Sequence, residues 1–302
     1  DLASGTLREL MRSMWGAYPE AVNKSHTKVI LNEGYTAGDS VLYLWDSGEL
    51  SMLYGTPLDK RREGEQVALS AIFNCQFAPG DDALLFATAL FNDAYGLGYL
   101  PLSGQKEIRP VNVRRARHNG LGELASLDHL DGRRYAVGYN IDGVSWLYEG
   151  DFDEATLTMT LDRVICGRGA IANGVLESSF YDKTSRTHSL SYSTATSPTQ
   201  IHTVAGGRGR RVRRSHTGER VLGVAPDLLS AGEDASFTSY DGLRISARLY
   251  MPAPALGYAG KRPLVYYIHG GPQSQERPDF AWFSMPLIQF LTLNGFAVFV
   301  PN

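Results

Sequence analysis

The residues with the clearest chemical potential in this chain are His269, Gly270, Gly271 and Pro272, which follow the apolar run Leu264 to Ile268. Two adjacent glycines leave main-chain N–H groups uncovered, so a developing oxyanion can approach them closely. A His-Gly-Gly run directly after a strand supplies one half of an oxyanion hole in acyl-transfer hydrolases; the other half is the N–H that follows a nucleophilic serine. Gly270 and Gly271 are therefore the candidate oxyanion-hole residues. His269 and Pro272 are assigned to support of the loop, because a histidine immediately before the glycines suits holding them through a hydrogen bond better than acting as a base. The competing reading of the same glycines is a tight turn that only lets a strand and a helix pack.

Other residues offer less. The Gly-x-Ser-x-Gly pattern of a nucleophile elbow does not occur. Its nearest imitation, Gly34-Tyr35-Thr36-Ala37-Gly38, has threonine for serine and sits between β-like runs, so no catalytic residue is assigned within the chain. His118, His129, His188, His202 and His216 lack metal-ligand spacing, and no metal site is assigned. Arg208, Arg210, Arg211, Arg213 and Arg214 could meet phosphates, as could Arg114, Arg115 and Arg117. The first group alternates with Val204 and Val212 and has no aromatics to stack on bases, which favours a solvated outer strand. Gly206, Gly207 and Gly209 lack the strand, third glycine and helix of a dinucleotide fingerprint.

The loop needs elements to hold it. Leu264 to Ile268 reads as a strand buried on both faces of a parallel sheet. Phe283, Leu287, Phe290 and Leu291 recur at helical spacing, Ser284 can cap, Pro286 falls in the tolerated first turn, and Asn294-Gly295 stops the helix. Ala297 to Val300 is a second apolar strand. Strand, helix, strand makes a βαβ unit whose first loop lies at the carboxyl end of a strand, where open α/β sheets do their chemistry. Just upstream, Phe237–Tyr240 and Leu243–Leu249 flank Asp241-Gly242, a type I′ hairpin signal, with Ile245, Ala247 and Leu249 on one buried face.

From Asp1 to about Thr217 the apolar period is two, as in Leu157, Met159 and Leu161, which marks half-buried antiparallel strands. The runs gather into similar groups, residues 28–55, 67–111, 123–165 and 174–214, and the opening Leu2 to Leu10 resembles the tail of one more. Small repeated sheets that cannot bury their faces alone stack radially as propeller blades, with a sandwich as the alternative. Gly218 to Glu233 is a mixed linker. A formal net charge of -3 shows no bias toward nucleic acid or an anionic membrane, and no apolar run reaches membrane-spanning length. Cys75 and Cys166 form no CxxC pair and read as free thiols in a reducing, cytoplasmic compartment. A homo-oligomer is compatible with these patterns.

With SFTSYDGLRISARLYMP (Ser236 to Pro252), RPLVYYIHGGPQSQ (Arg262 to Gln275) and LNGFAVFVPN (Leu293 to Asn302) in view, the sequence resembles the prolyl oligopeptidase family of serine peptidases, most closely its acylaminoacyl-peptidase-like branch. The resemblance implies a partial all-β propeller of about four blades over residues 1–217, the linker over 218–233, and the N-terminal part of an α/β-hydrolase domain over 234–302. The missing blades are expected before Asp1, and the Ser, Asp and His of the triad, in that order, after Asn302. The implied substrate is a short peptide or an acylated peptide N-terminus, with no cofactor. A non-catalytic propeller scaffold and a carboxylesterase of the same hydrolase fold are the rival readings.

Overall fold

The computed structural model describes residues 4–36, 38–205, 212–221, 223–271, 274–280 and 283–302. They form two compact units, each described by itself.

The first unit takes residues 1–117, 123–139 and 148–163. Alternating apolar residues build one antiparallel sheet from β1 (Ala17–Val22), β2 (Lys28–Glu33), β3 (Val41–Asp46) and β4 (Glu49–Tyr54). The first group of strands thus begins at Ala17, earlier than the Lys28 that the alternation suggests, because Pro19 interrupts the pattern where β1 carries a register shift. Of Leu2 to Leu10, expected as the tail of another unit, the described residues 4–10 form no strand. Next come β5 (Phe73–Phe77), β6 (Ala83–Thr88), β7 (Gly96–Pro101) and β8 (Arg109–Arg114), then β9 (Gly122–Asp131), β10 (Arg134–Ile141), β11 (Val144–Asp153) and β12 (Thr158–Cys166), of which residues 122, 140–147 and 164–166 belong to the second unit. These two sets join edge to edge because β8 and β12 run parallel, with Met159 opposite Val113. Strand β6 is buried along its whole length. Leu84 and Phe86 belong to a core with Ile30, Leu42 and Phe77, the contiguous cluster that a two-sheet contact requires. Gly98 is required opposite Phe86: a Cβ there would lie 2.6 Å from the ring.

Arg134 crosslinks three strands of this unit. Its guanidinium donates to Asp162 at 2.6 and 2.9 Å, to Glu149 at 2.7 Å and to Asp151 at 3.1 Å, while Arg163 reaches Glu149 at 3.0 Å. Burial works against the Arg134 charge, and the Asp162 and Glu149 carboxylates more than offset it, so the side chain holds its proton more tightly than usual.

The second unit takes residues 118–122, 140–147 and 164–302. A further antiparallel sheet holds β13 (Gly174–Asp182), β14 (Thr187–Thr194), β15 (Ser197–Ala205) and β16 (Val212–Ser215) in sequence order. After it come β17 (Glu233–Asp234), β18 (Phe237–Thr238), β19 (Arg244–Ile245), β20 (Ala247–Tyr250), β21 (Leu264–Tyr266), helix α1 (Ser284–Leu293) and β22 (Ala297–Pro301). The mixed sheet runs β17-β20-β22-β21, with β21 parallel to β22 and Val265 opposite Val298, so the expected βαβ pairing is present.

Four expectations need correction here. Strand β21 lies at the sheet edge, and Leu264, Tyr266 and Ile268 are exposed rather than buried on both faces. Helix α1 buries Met285 and Ile288 in a cluster with Val298 and Val300, and Thr292 is buried too, while Phe283, Leu287 and Phe290 are exposed. The helix is apolar on both sides, and the side that meets β22 wins. Its N-terminus has no side-chain cap, because Ser284 is the first helical residue and its hydroxyl donates to Glu276 instead. Asn294 and Gly295, with φ +85, end the helix as expected. Finally, Asp241-Gly242 is not a type I′ turn. Only Gly242 has positive φ, its N–H donates to Ser239 O at 3.0 Å, and Ser239 N–H reaches Leu243 O at 2.7 Å, a type I turn closed by a glycine bulge.

The stretch between β16 and β17 is pinned through Gln289, which is 2% exposed. Its amide donates to Ser230 O at 2.7 Å and Ala195 O at 2.8 Å and accepts from Ser230 N–H at 2.8 Å. A buried side-chain amide satisfies three main-chain groups that would otherwise be stranded.

Candidate functional site

The chain leaves β21 through Tyr267, whose N–H donates to Phe299 O at 2.9 Å, and then opens into the His-Gly-Gly loop. Gly271 sits at φ +130, a conformation that β-carbons resist, so the sequence needs glycine there. A Cβ on Gly270 would meet nothing within 4 Å. Both glycines are exposed, which leaves the main chain open to an approaching group. His269 is half-buried, and its Nδ1 lies 3.1 Å from Gly270 O. Pro272 lies outside the described residues.

A cavity of about 490 Å³ opens beside the loop, lined among others by His269, Gly270, Gly271, Glu276, Arg277 and Phe283. Glu276 is 6% exposed. Burial raises its carboxyl above the ordinary glutamate range, the Ser284 hydroxyl lowers it, and the neighbouring Asp279 raises it again. Its main-chain N–H donates to Asn302 Oδ1 at 2.9 Å. This carboxyl thus ties the start of α1 to the segment that follows the glycines.

Sequence reasoning missed the hairpin between β10 and β11. Asp142 and Gly143 both have positive φ, at +48 and +82, and join the two strands directly, the type I′ geometry. The hairpin receives side chains from 275 to 279. Asn140 Nδ2 donates to Gln275 Oε1 at 2.8 Å; Arg277 Nε donates to Gly143 O at 2.9 Å and its Nη2 to Ser145 Oγ at 2.8 Å. Asp279 accepts from Ser193 at 2.7 Å. Asp142 takes Arg244 at 2.7 and 3.3 Å. An Asp-Gly pair between two β-like runs was the available signal, but which partner it meets is not written locally.

The other candidate residues are not brought together. Thr36 lies in the exposed turn between β2 and β3, where its carbonyl accepts from Asp39 N–H at 3.1 Å, and Ala37 lies outside the described residues. His118 packs edge-on against Trp146, His188 lies tilted against Tyr181, and His129 lies 2.8 Å from Gly132 O. His202 is buried, which lowers its pKa, with the charges of Arg213 and His216 adding to that; His216 Nε2 lies 2.9 Å from Thr203 Oγ1. Among the described residues no three His, Cys, Asp or Glu side chains gather as a metal site. Arg213 and Arg214 lie on β16, the exposed edge strand of its sheet, as a solvated outer strand requires; Arg208, Arg210 and Arg211 lie outside the described residues, as do Gly206, Gly207 and Gly209. Arg114, Arg115 and Arg117 are exposed. Cys75 and Cys166 are buried and not joined in a disulfide, and burial pushes the Cys75 thiol well up. Among the described residues no helix is long and apolar enough to cross a membrane.

The class that this fold defines is a nearly all-β protein of several sheets, of the β-propeller kind. Comparison with solved structures points the same way. The chain is similar to prolyl oligopeptidase B from Galerina marginata bound to a 35mer hydrolysis and macrocyclization substrate, with a TM-score of 0.68 and 15% identity over 93% of this chain and 36% of that one. It is similar to puromycin hydrolase, with a TM-score of 0.68 and 17% identity over 98% of this chain and 42% of that one. A Mycobacterium tuberculosis puromycin-hydrolyzing peptidase gives a TM-score of 0.68 and 15% identity over the same shares. The sheets match the β-propeller domain of these proteins, and the likeness is one of fold. The chain spans 36 to 42% of the length of the structures it matches. No protein-family model and no curated protein matches the sequence.

Proposed function

We propose that this chain is part of a serine peptidase of the prolyl oligopeptidase family, with propeller blades over residues 1–217, a linker over 218–233 and the start of an α/β-hydrolase domain over 234–302. The observation that carries the reading is the uncovered Gly270-Gly271 main chain at the carboxyl end of β21, parallel to β22 and beside a cavity of about 490 Å³. The propeller-like sheets and the fold likeness to peptidases support it. In the proposed reaction, a serine Oγ contributed from outside these residues adds to the substrate carbonyl carbon while a histidine, oriented by an aspartate, takes its proton. The carbonyl electron pair moves to oxygen, and the N–H of Gly270 or Gly271 receives that oxyanion. Collapse expels the amine with the proton from histidine, and water then releases the acyl group. No cofactor takes part. The substrate is a short peptide or an acylated peptide N-terminus, admitted past the propeller. The test is hydrolysis by the complete protein of an acylated peptide, the matching ester, and a folded protein containing the same sequence. Preferred turnover of the peptide with the folded protein intact is expected; turnover of the ester alone would replace the reading with an esterase.

A further inference from the structure

Resting on that reading, we infer that Arg277 is a positioning residue for the Gly270-Gly271 loop, and that the β10–β11 hairpin of the propeller-like region is its buttress. Residues 275–279 are held by side-chain bonds on two sides. Gln275, Arg277 and Asp279 bond to Asn140, Gly143, Ser145 and Ser193, while Glu276 between them turns inward to Ser284. These bonds hold the segment from two directions, and Asp279 N–H closes a tight turn on Arg277 O at 2.7 Å. Arg277 is the central member, because its planar fork spans two acceptors at once, a main-chain carbonyl and a buried hydroxyl. Ser145 is 7% exposed, and its Oγ also accepts from Leu176 N–H at 2.9 Å, so the acceptor is itself held by the next sheet. A Cβ on Gly143 would make ordinary contact with Pro278 and Gln275 at 3.6 and 3.7 Å, so the hairpin tip lies beside the segment.

The consequence is that the loop's own chemistry depends on a hairpin some 130 residues away in sequence. Gly270 and Gly271 are exposed, and a Cβ on Gly270 would meet nothing within 4 Å. An oxyanion donor must hold its aim without help from the substrate. The buttress supplies that aim through the segment that begins four residues after Gly271.

The test compares Arg277→Ala, Arg277→Lys and Arg244→Ala in the complete protein by hydrogen–deuterium exchange over residues 267–271 and by steady-state kinetics. Arg244→Ala removes the ion pair to Asp142 on the same hairpin but touches no residue of the 275–279 segment. Arg277→Ala is expected to speed exchange in the loop about 10-fold or more and to lower kcat about 10- to 100-fold with little change in KM, since misplacement by about 1 Å costs on that order. Lysine keeps the charge and loses the fork, so Arg277→Lys should fall between; it also carries the test if the alanine variant does not fold. Arg244→Ala should leave loop exchange and kcat near wild type. Unchanged loop exchange in both Arg277 variants, or an equal rise in Arg244→Ala, overturns the inference. Wild-type protein that hydrolyses no peptide would refute the peptidase reading alone, because the exchange result does not depend on turnover.

Discussion

Replacing Gly271 with valine in the complete protein separates an oxyanion donor from a packing turn. Gly271 has φ +130, which a β-branched residue reaches only with strain of about 1–3 kcal/mol. The residue is exposed, so little burial is lost and the stability cost should stay near that strain. If the N–H at this position meets the oxyanion, the rotated main chain also loses a donor, worth about 2.7–4 kcal/mol or ~10²- to 10³-fold in kcat. That loss falls on kcat more than on KM, because the interaction strengthens in the transition state. Gly270→Ala is the companion: its φ is not in the left-handed region and a Cβ there meets nothing within 4 Å, so the fold should tolerate it within about 0.5 kcal/mol. A methyl group on the open face should still hinder the approaching carbonyl and lower kcat. Thermal melts and steady-state kinetics on both variants decide the matter. A destabilised Gly271→Val with normal kcat, together with a fully active Gly270→Ala, would refute the oxyanion role and leave a packing turn.

Two further outcomes are expected. This 302-residue chain alone should neither hydrolyse peptides nor take up a fluorophosphonate probe, since it has no Gly-x-Ser-x-Gly; stoichiometric labelling of any serine would contradict the assignment. Glu276 has a carboxyl raised above 4.5 chiefly by burial, so its contribution to stability is fully present below the unfolded pKa and is lost as pH rises through the folded one. Glu276→Gln should therefore gain in melting temperature relative to wild type as pH is raised from 4 to 8, and a gap that stays constant with pH would show that the carboxyl titrates normally.

The residues themselves determined the local structure. Alternation of apolar side chains marked the stretch that holds β2 to β16 as groups of strands, because a half-buried strand exposes every second residue. Asn294-Gly295 ended α1, and the glycines at 270 and 271 marked an open loop, because only glycine accepts such backbone without cost. Tertiary structure decided what those elements meet. Helix α1 offers two apolar sides, and contact with Val298 and Val300 selected the one bearing Met285 and Ile288. The parallel join of β8 to β12 pairs segments far apart in sequence, for which no local pattern exists. Asp142-Gly143 and Asp241-Gly242 are the same dipeptide, yet one forms a type I′ turn and the other a type I turn with a bulge. The register of the flanking strands makes that choice, and the same register presents Gly143 to Arg277.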